Sequence, residues 1–168
     1  IQLLLAVLIL STVSFSQHVD NPEFEKVLKR RIPKSVPTID VKDVDLTDED
    51  ILFIDARTLH DFLVSHIENS MMYTVRSMPL DSIAFIPKST RIIVYCTVGV
   101  RSAKVAKVIM EQGFTDVSNL YGGIVEWSNQ KKPLVDTVPN PTTNVHPFNE
   151  KWGKWLTHGT KKYFFKRK

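Results

Sequence analysis

The feature that most constrains the fold is a β-branched run followed at once by a loop and a helical pattern. Ile92 to Tyr95 is typical of a strand that is covered on both faces. From Ser102, apolar residues recur at helical spacing as far as Gly113, which is well suited to end a helix. Further short strands alternate with helical segments along the chain, which indicates a parallel α/β sheet.

The only cysteine of the chain, Cys96, lies where this strand ends. The residues from Thr97 to Arg101 lead into the helix, whose N-terminus we expect near Ser102. Backbone N–H groups and the helix dipole at such a position favour a thiolate and hold an anion beside it. A lone cysteine is in general more often a buried core thiol. That alternative suits poorly a cysteine followed by Gly99 and Arg101 at a helix start.

Three groups of motifs occur in order along the chain and resemble a known family. The central one is the loop with the pattern Cys-x-x-Gly-x-Arg-Ser. The upstream group consists of Leu52-Phe53-Ile54-Asp55-Ala56-Arg57, His60-Asp61-Phe62 and Ser65-His66-Ile67. The central group consists of Cys96, Gly99, Arg101 and Ser102, and the downstream group of Leu120-Tyr121-Gly122-Gly123 and Trp127. Together they resemble the rhodanese-like sulfurtransferases over roughly Thr38 to Leu134.

This resemblance implies an α/β fold with a parallel β-sheet flanked by helices on both faces. It also implies that a sulfane sulfur moves from an anionic donor such as thiosulfate to a thiophilic acceptor through a persulfide on Cys96. The residues Thr97, Val98, Gly99, Val100 and Arg101 would bind the donor, with Arg101 as the charged partner of an anion. The implied partners are a small sulfur donor, a thiol or cyanide acceptor and an external reductant, with no cofactor.

Asp55 and Arg57 directly follow a predicted buried strand, where α/β folds place functional groups. They are candidates for a supporting role around the catalytic loop. The alternative is a structural ion pair or a clamp on the local loop, and the sequence alone leaves both open.

Two other functions are compatible with the same loop. A phosphatase or arsenate reductase also uses a cysteine and an arginine, but the related phosphatases carry five residues between them. Here only four residues separate Cys96 from Arg101, which favours sulfur chemistry. A sulfur carrier or binding module without turnover is the main alternative to an enzyme.

The two ends of the chain differ in amino-acid composition from its central region. Leu3 to Leu10 is an uncharged apolar run, and the small residues after it predict signal-peptide cleavage near Ser16-Gln17 and export to the periplasm or the exterior. We therefore divide the chain into a signal peptide (1–16), an N-terminal helix and linker (17–37), a rhodanese-like domain (38–135) and an aromatic C-terminal extension (136–168). We expect the extension to wrap the domain surface. A patch that meets a membrane or an anionic partner is the alternative.

Composition excludes several other classes of protein. One cysteine rules out an internal disulfide framework and a cysteine-based zinc cluster, and the five histidines show no metal-binding spacing. The formal net charge of +4 is modest, and basic residues crowd the C-terminal end. We predict no metal, no nucleic-acid partner and no stable membrane span in the mature chain.

Overall fold

The computed structural model describes residues 17–74 and 80–163, without the side chains of Leu80 and Asp81. The predicted signal peptide (1–16) and the last basic and aromatic residues (164–168) lie outside the described part of the chain. Within the described part, no helix is both long enough and apolar enough to cross a membrane.

A five-stranded parallel sheet forms the centre of the fold, in the order β1-β5-β4-β2-β3. This sheet confirms the parallel α/β architecture predicted from the sequence. The central strand β4 pairs with β2 on one side and β5 on the other, with Ile54 and Asn119 both opposite Val94. The strands are β1 (Thr38–Ile39), β2 (Leu52–Asp55), β3 (Met71–Met72), β4 (Arg91–Tyr95) and β5 (Asp116–Leu120).

Helices cover both faces of the sheet, as expected. Side chains of β4 alternate between two buried clusters, with Ile93 in one and Ile92 in the other, because successive residues of a strand face opposite ways. Helices α1 and α4 pack on the first cluster, whereas most buried residues of α3 pack on the second. The helices are α1 (Pro22–Lys29), α2 (Leu59–Val64), α3 (Val100–Glu111), α4 (Gly123–Asn129) and α5 (Glu150–Gly153), with 3₁₀ turns at Val41–Asp43 and Leu80–Ile83.

Two boundaries differ from the sequence-based expectation. Helix α3 begins at Val100, two residues before the predicted start at Ser102, because Gly99 takes a left-handed conformation with φ of 91° and allows the chain to turn at once. The sequence also predicts a short helix from Leu80 to Phe85, and the structure has a 3₁₀ turn there that ends at Ile83. Its apolar pattern is too short to sustain an α-helix.

The chain segments that precede β1 and follow α4 pack together on the face of the sheet that carries the first buried cluster. The ring of Trp155, in the C-terminal segment, stacks on Phe24 of α1 with centroids 5.2 Å apart. Val145 is fully buried, and the His146 ring contacts the buried carboxylate of Asp61 in α2. Strands β6 (Asn144–Val145) and β7 (Thr160–Lys161) form a separate two-stranded parallel sheet within this segment.

Candidate active site

Cys96 lies one residue beyond the carboxyl end of β4, the central strand of the sheet. Its side chain is 1% exposed. Loops at the carboxyl ends of central parallel strands are the usual position for functional groups in α/β folds. The sequence predicted this placement from the β-branched run and the position of the cysteine.

Helix α4 orients the first peptide groups of the loop. The N–H of Ile124 donates to the Cys96 carbonyl at 2.9 Å, and the N–H of Val125 donates to the Thr97 carbonyl at 3.1 Å. Because a trans peptide points its N–H away from its C=O, the N–H groups of Thr97 and Val98 turn away from α4. Of these two groups, the Val98 N–H is hydrogen-bonded to the Cys96 sulfur, so the first turn of α4 helps to orient a donor to the thiol.

Gly123 makes this approach of α4 to the loop possible. Its φ is 56°, in the left-handed region. A Cβ atom there would lie 2.8 Å from the carbonyl carbon of Thr97 and closer still to the carbonyl oxygen of Cys96. The Gly-Gly-x-x-x-Trp motif noted in the sequence thus has a physical reason, since only glycine fits against the catalytic loop.

The pKa of the Cys96 thiol reflects two opposed effects. Burial alone would raise this pKa because it penalises the charged thiolate. The positive charge of Arg101 and hydrogen bonds from the Ser102 side chain, the Ser102 N–H and the Val98 N–H outweigh burial, so that the pKa lies below its ordinary value. The site is therefore built to hold a thiolate.

The Ser102 hydroxyl has a second partner. It lies 2.6 Å from the side-chain oxygen of Asn119 and can donate to it. A serine hydroxyl carries one proton, so it cannot donate to Asn119 and to the sulfur at the same time. The backbone N–H groups and Arg101 are accordingly the constant stabilisers of the thiolate.

A cavity of about 140 Å³ opens beside the sulfur. It is lined by residues of the catalytic loop and by two aromatic residues of the C-terminal extension, namely Cys96, Thr97, Val98, Val100 and Arg101 from the loop with Phe148 and Trp152 from the extension. Five of the six residues predicted for the site thus meet at one cavity. Gly99, the sixth, is the N-cap of α3 instead of a lining residue.

Arg101 is held in place on two sides. Its Nη2 donates to Thr97 Oγ1 at 3.0 Å, and its guanidinium carbon lies 4.9 Å from the centroid of the Phe148 ring. Both contacts fix the guanidinium at the cavity, where an anionic ligand can reach its remaining N–H groups.

Asp55 and Arg57 are not brought to the cavity. Both side chains are fully buried and form a bidentate ion pair, with the Arg57 Nη2 2.6 Å from the Asp55 Oδ2. The same Nη2 donates to the Ser65 carbonyl at 2.6 Å, and the guanidinium lies over the Tyr95 ring. These contacts are those of an ion pair that clamps the loop after α2, and a supporting role in the chemistry stays a prediction.

Among the described residues, no group of three or more His, Cys, Asp or Glu side chains is arranged to hold a metal ion. The cavity itself presents a buried thiol of lowered pKa beside N–H donors and one guanidinium.

Three residues of the site were missed by sequence reasoning. The sequence assigns Ser102 only to the start of the helix, but its N–H donates to the Cys96 sulfur and its hydroxyl can donate either to the sulfur or to Asn119. Its place in the Cys-x-x-Gly-x-Arg-Ser pattern was the available signal. Phe148 and Trp152 were noted as aromatic residues of the extension, and no local pattern indicates that they reach the loop.

Comparisons with known proteins agree with this geometry. The family model of the rhodanese-like domain matches residues 38–130. A sulfurtransferase of Allochromatium vinosum is 32% identical over 87 residues, which cover 52% of this chain and 80% of that protein. The tRNA uridine(34) hydroxylase of Yersinia enterocolitica is also 32% identical, over 93 residues, but the match spans only 26% of its length.

The fold is shared with solved structures as well. The BH2092 protein of Bacillus halodurans superposes with a TM-score of 0.55 at 22% identity, covering 70% of this chain and 88% of that one. Since the family model matches more than half of the chain, the protein belongs to the rhodanese-like domain family.

Proposed function

We propose that the protein is a sulfurtransferase that carries sulfane sulfur as a persulfide on Cys96. The observation that carries this proposal is a thiol of lowered pKa at the base of a cavity that also presents a guanidinium. The similarity to the sulfurtransferase of A. vinosum supports it.

The proposed reaction has two steps, shown here with thiosulfate as the donor. The Cys96 thiolate attacks the outer sulfur of the donor, its S–S bond breaks, and sulfite leaves with the electron pair. The inner sulfur of the persulfide remains Cys96 Sγ, and the outer sulfur, which carries the negative charge, extends into the cavity lined by the loop, where the Arg101 guanidinium and loop N–H groups can stabilise it. In the second step cyanide or a thiolate takes the outer sulfur and Cys96 is released as the thiolate.

The acceptor must come from outside the chain. No second cysteine exists in the sequence to attack the persulfide. A thiol acceptor would leave as a persulfide, and an external thiol reductant would then release its sulfur.

The test is turnover of thiosulfate and cyanide to thiocyanate and sulfite by the full chain. We expect turnover in the unaltered protein and none with Cys96→Ser, since a hydroxyl cannot form a persulfide. Loading of one sulfur without turnover would favour the carrier alternative, and hydrolysis of a phosphate monoester without sulfur loading would favour the phosphatase alternative.

We also propose that the protein is exported. The support is the uncharged run from Leu3 to Leu10 and the small residues that follow it. N-terminal sequencing of the protein from its native host should begin at or near Gln17, and recovery of residues 1–16 on the cytoplasmic protein would contradict export.

A further inference from the structure

A buried polar side chain on the neighbouring strand reaches the catalytic site from outside its loop. Asn119 lies in β5, opposite Val94 of the central strand, and is fully buried. Its Oδ1 lies 2.6 Å from Ser102 Oγ, and a Cβ atom on Gly99 would lie 3.5 Å from its Nδ2. The amide of Asn119 therefore packs against the start of α3, where Ser102 contributes donors to Cys96.

A purely structural role would leave the bonding of this amide incomplete. A buried side-chain amide usually has partners for both its oxygen and its nitrogen. Within the described part of the chain, the Nδ2 of Asn119 is buried without a hydrogen-bond partner, whereas its Oδ1 faces Ser102 Oγ. The side chain thus keeps an acceptor beside the hydroxyl although its own donor stays unsatisfied, which costs free energy.

The Ser102 hydroxyl has two acceptors within reach but only one proton to donate. When Cys96 is a thiolate, the hydroxyl bonds better to the charged sulfur, because hydrogen bonds to ionised acceptors are about twice as strong as neutral ones. When Cys96 carries a persulfide, the negative charge lies on the outer sulfur and Sγ becomes a weak acceptor. Since Ser102 is fully buried, its hydroxyl then needs another partner in the protein.

We propose that Asn119 is a positioning residue that takes over the hydrogen bond of the Ser102 hydroxyl when Cys96 is loaded with sulfur. This inference rests on the proposed sulfurtransferase function and adds to it a residue outside the catalytic loop. The hydroxyl turns toward Sγ in the thiolate and toward Asn119 Oδ1 in the persulfide. No covalent bond of Ser102 or Asn119 changes, and the hydroxyl keeps its proton throughout.

This hydrogen-bond switch predicts opposite effects for its two members. Ser102→Ala removes a donor to the thiolate and should raise the pKa of Cys96. Asn119→Leu removes the competing acceptor at similar side-chain volume and should lower this pKa, because the hydroxyl no longer gives up a bond to Asn119 when it turns to the thiolate. Arg101, the charged group that acts on the thiol, is unchanged in both variants. General damage to the loop would instead raise the pKa in both.

The experiment measures two quantities in the full chain. The first is the pH dependence of Cys96 alkylation, whose rate on the acidic limb should be about tenfold lower in Ser102→Ala and about threefold higher in Asn119→Leu. The second is the ratio of sulfur-loaded to free protein at fixed thiosulfate and sulfite concentrations, read from the intact mass. This ratio should fall about threefold in Asn119→Leu, because the persulfide state loses the bond from the hydroxyl.

Three further variants separate the switch from a structural effect. Ser118→Ala is the control and should change neither quantity, since Ser118 precedes Asn119 in β5 and faces the other side of the sheet. Asn119→Ala, which adds no volume, should move both quantities in the same directions as Asn119→Leu. In the double variant of Ser102→Ala with Asn119→Leu, both effects of the leucine should vanish, because they act through the hydroxyl.

The inference is overturned if both Asn119 variants alkylate more slowly than the unaltered protein or load sulfur equally well. It is also overturned if the effects of Asn119→Leu persist without the Ser102 hydroxyl or recur in Ser118→Ala. Each of these results leaves the sulfurtransferase proposal standing, since the unaltered protein still loads sulfur. An unaltered protein that gains no sulfur from thiosulfate would overturn the proposed function, and the hydrogen-bond switch with it.

Discussion

Replacing Gly123 by alanine should damage the catalytic loop through the backbone alone. The new Cβ would overlap the Cys96 carbonyl oxygen and lie 2.8 Å from the Thr97 carbonyl carbon. Both atoms belong to the backbone that α4 holds in place, so neither can move without breaking the hydrogen bonds to Ile124 and Val125.

The expected cost has two parts. Overpacking in a tight interior costs about 1–3 kcal/mol, and a left-handed conformation costs alanine roughly 1–2 kcal/mol. Gly123→Ala should therefore reduce the free energy of unfolding by about 2–5 kcal/mol, and Tm falls by about 2–4 °C for each kcal/mol in a chain of this size. The loop N–H groups should also lose their orientation, which raises the pKa of Cys96.

Gly113→Ala is the matched control for this experiment. Gly113 also has a positive φ, 87°, but a Cβ there would meet no atom within 4 Å. Unfolding in denaturant and the pH profile of Cys96 alkylation should be measured for both variants. The account is refuted if Gly123→Ala and Gly113→Ala lose equal stability and the alkylation profile of Gly123→Ala is that of the unaltered protein. The packing of α4 against the loop would then not be what orients the loop N–H groups.

Three further changes test other parts of the structure. Arg101→Ala should raise the pKa of Cys96, so that the alkylation rate levels off at a higher pH. Arg101→Lys keeps the positive charge and should restore part of the lowering of this pKa. An alkylation profile of Arg101→Ala equal to that of the unaltered protein would contradict the role of Arg101 in stabilising the thiolate. Asp55→Ala should destabilise the fold by about 3–5 kcal/mol, since it leaves Arg57 buried without its partner, while folded protein still loads sulfur. Loss of loading at unchanged stability would instead indicate a chemical role. Truncation at about Pro139 should lower Tm by exposing buried apolar side chains, and a truncated chain that melts unchanged would show that the extension is only an interaction surface.

The parts of the fold that follow from local pattern were predictable from the sequence. Strand β4 was evident from its β-branched run, and helix α1 from its Asn21 cap, Pro22 and charge order. The placement of Cys96 followed from these patterns because a cysteine that directly follows a central parallel strand lies in the loop that leads into the next helix.

The remainder of the site depends on contacts between distant parts of the chain. The packing of the extension on α1 and α4 brings Phe148 and Trp152 to the cavity. No periodic pattern in the sequence predicts this packing. The ion pair of Asp55 and Arg57 was foreseen as one of two alternatives. The clamp on the loop after α2 could not be derived from the sequence, because it depends on the position of the Ser65 carbonyl, which lies on a different loop.

The central claim is that Cys96 is a stabilised thiolate that takes up one sulfur. The most direct measurement is the mass of the intact protein after incubation with thiosulfate at neutral pH, followed by cyanide. The account predicts a gain of one sulfur atom, its removal as thiocyanate, and no gain in Cys96→Ser. A protein that folds, gains no sulfur from thiosulfate and alkylates at Cys96 only near the ordinary cysteine pKa of about 8.5 would contradict it.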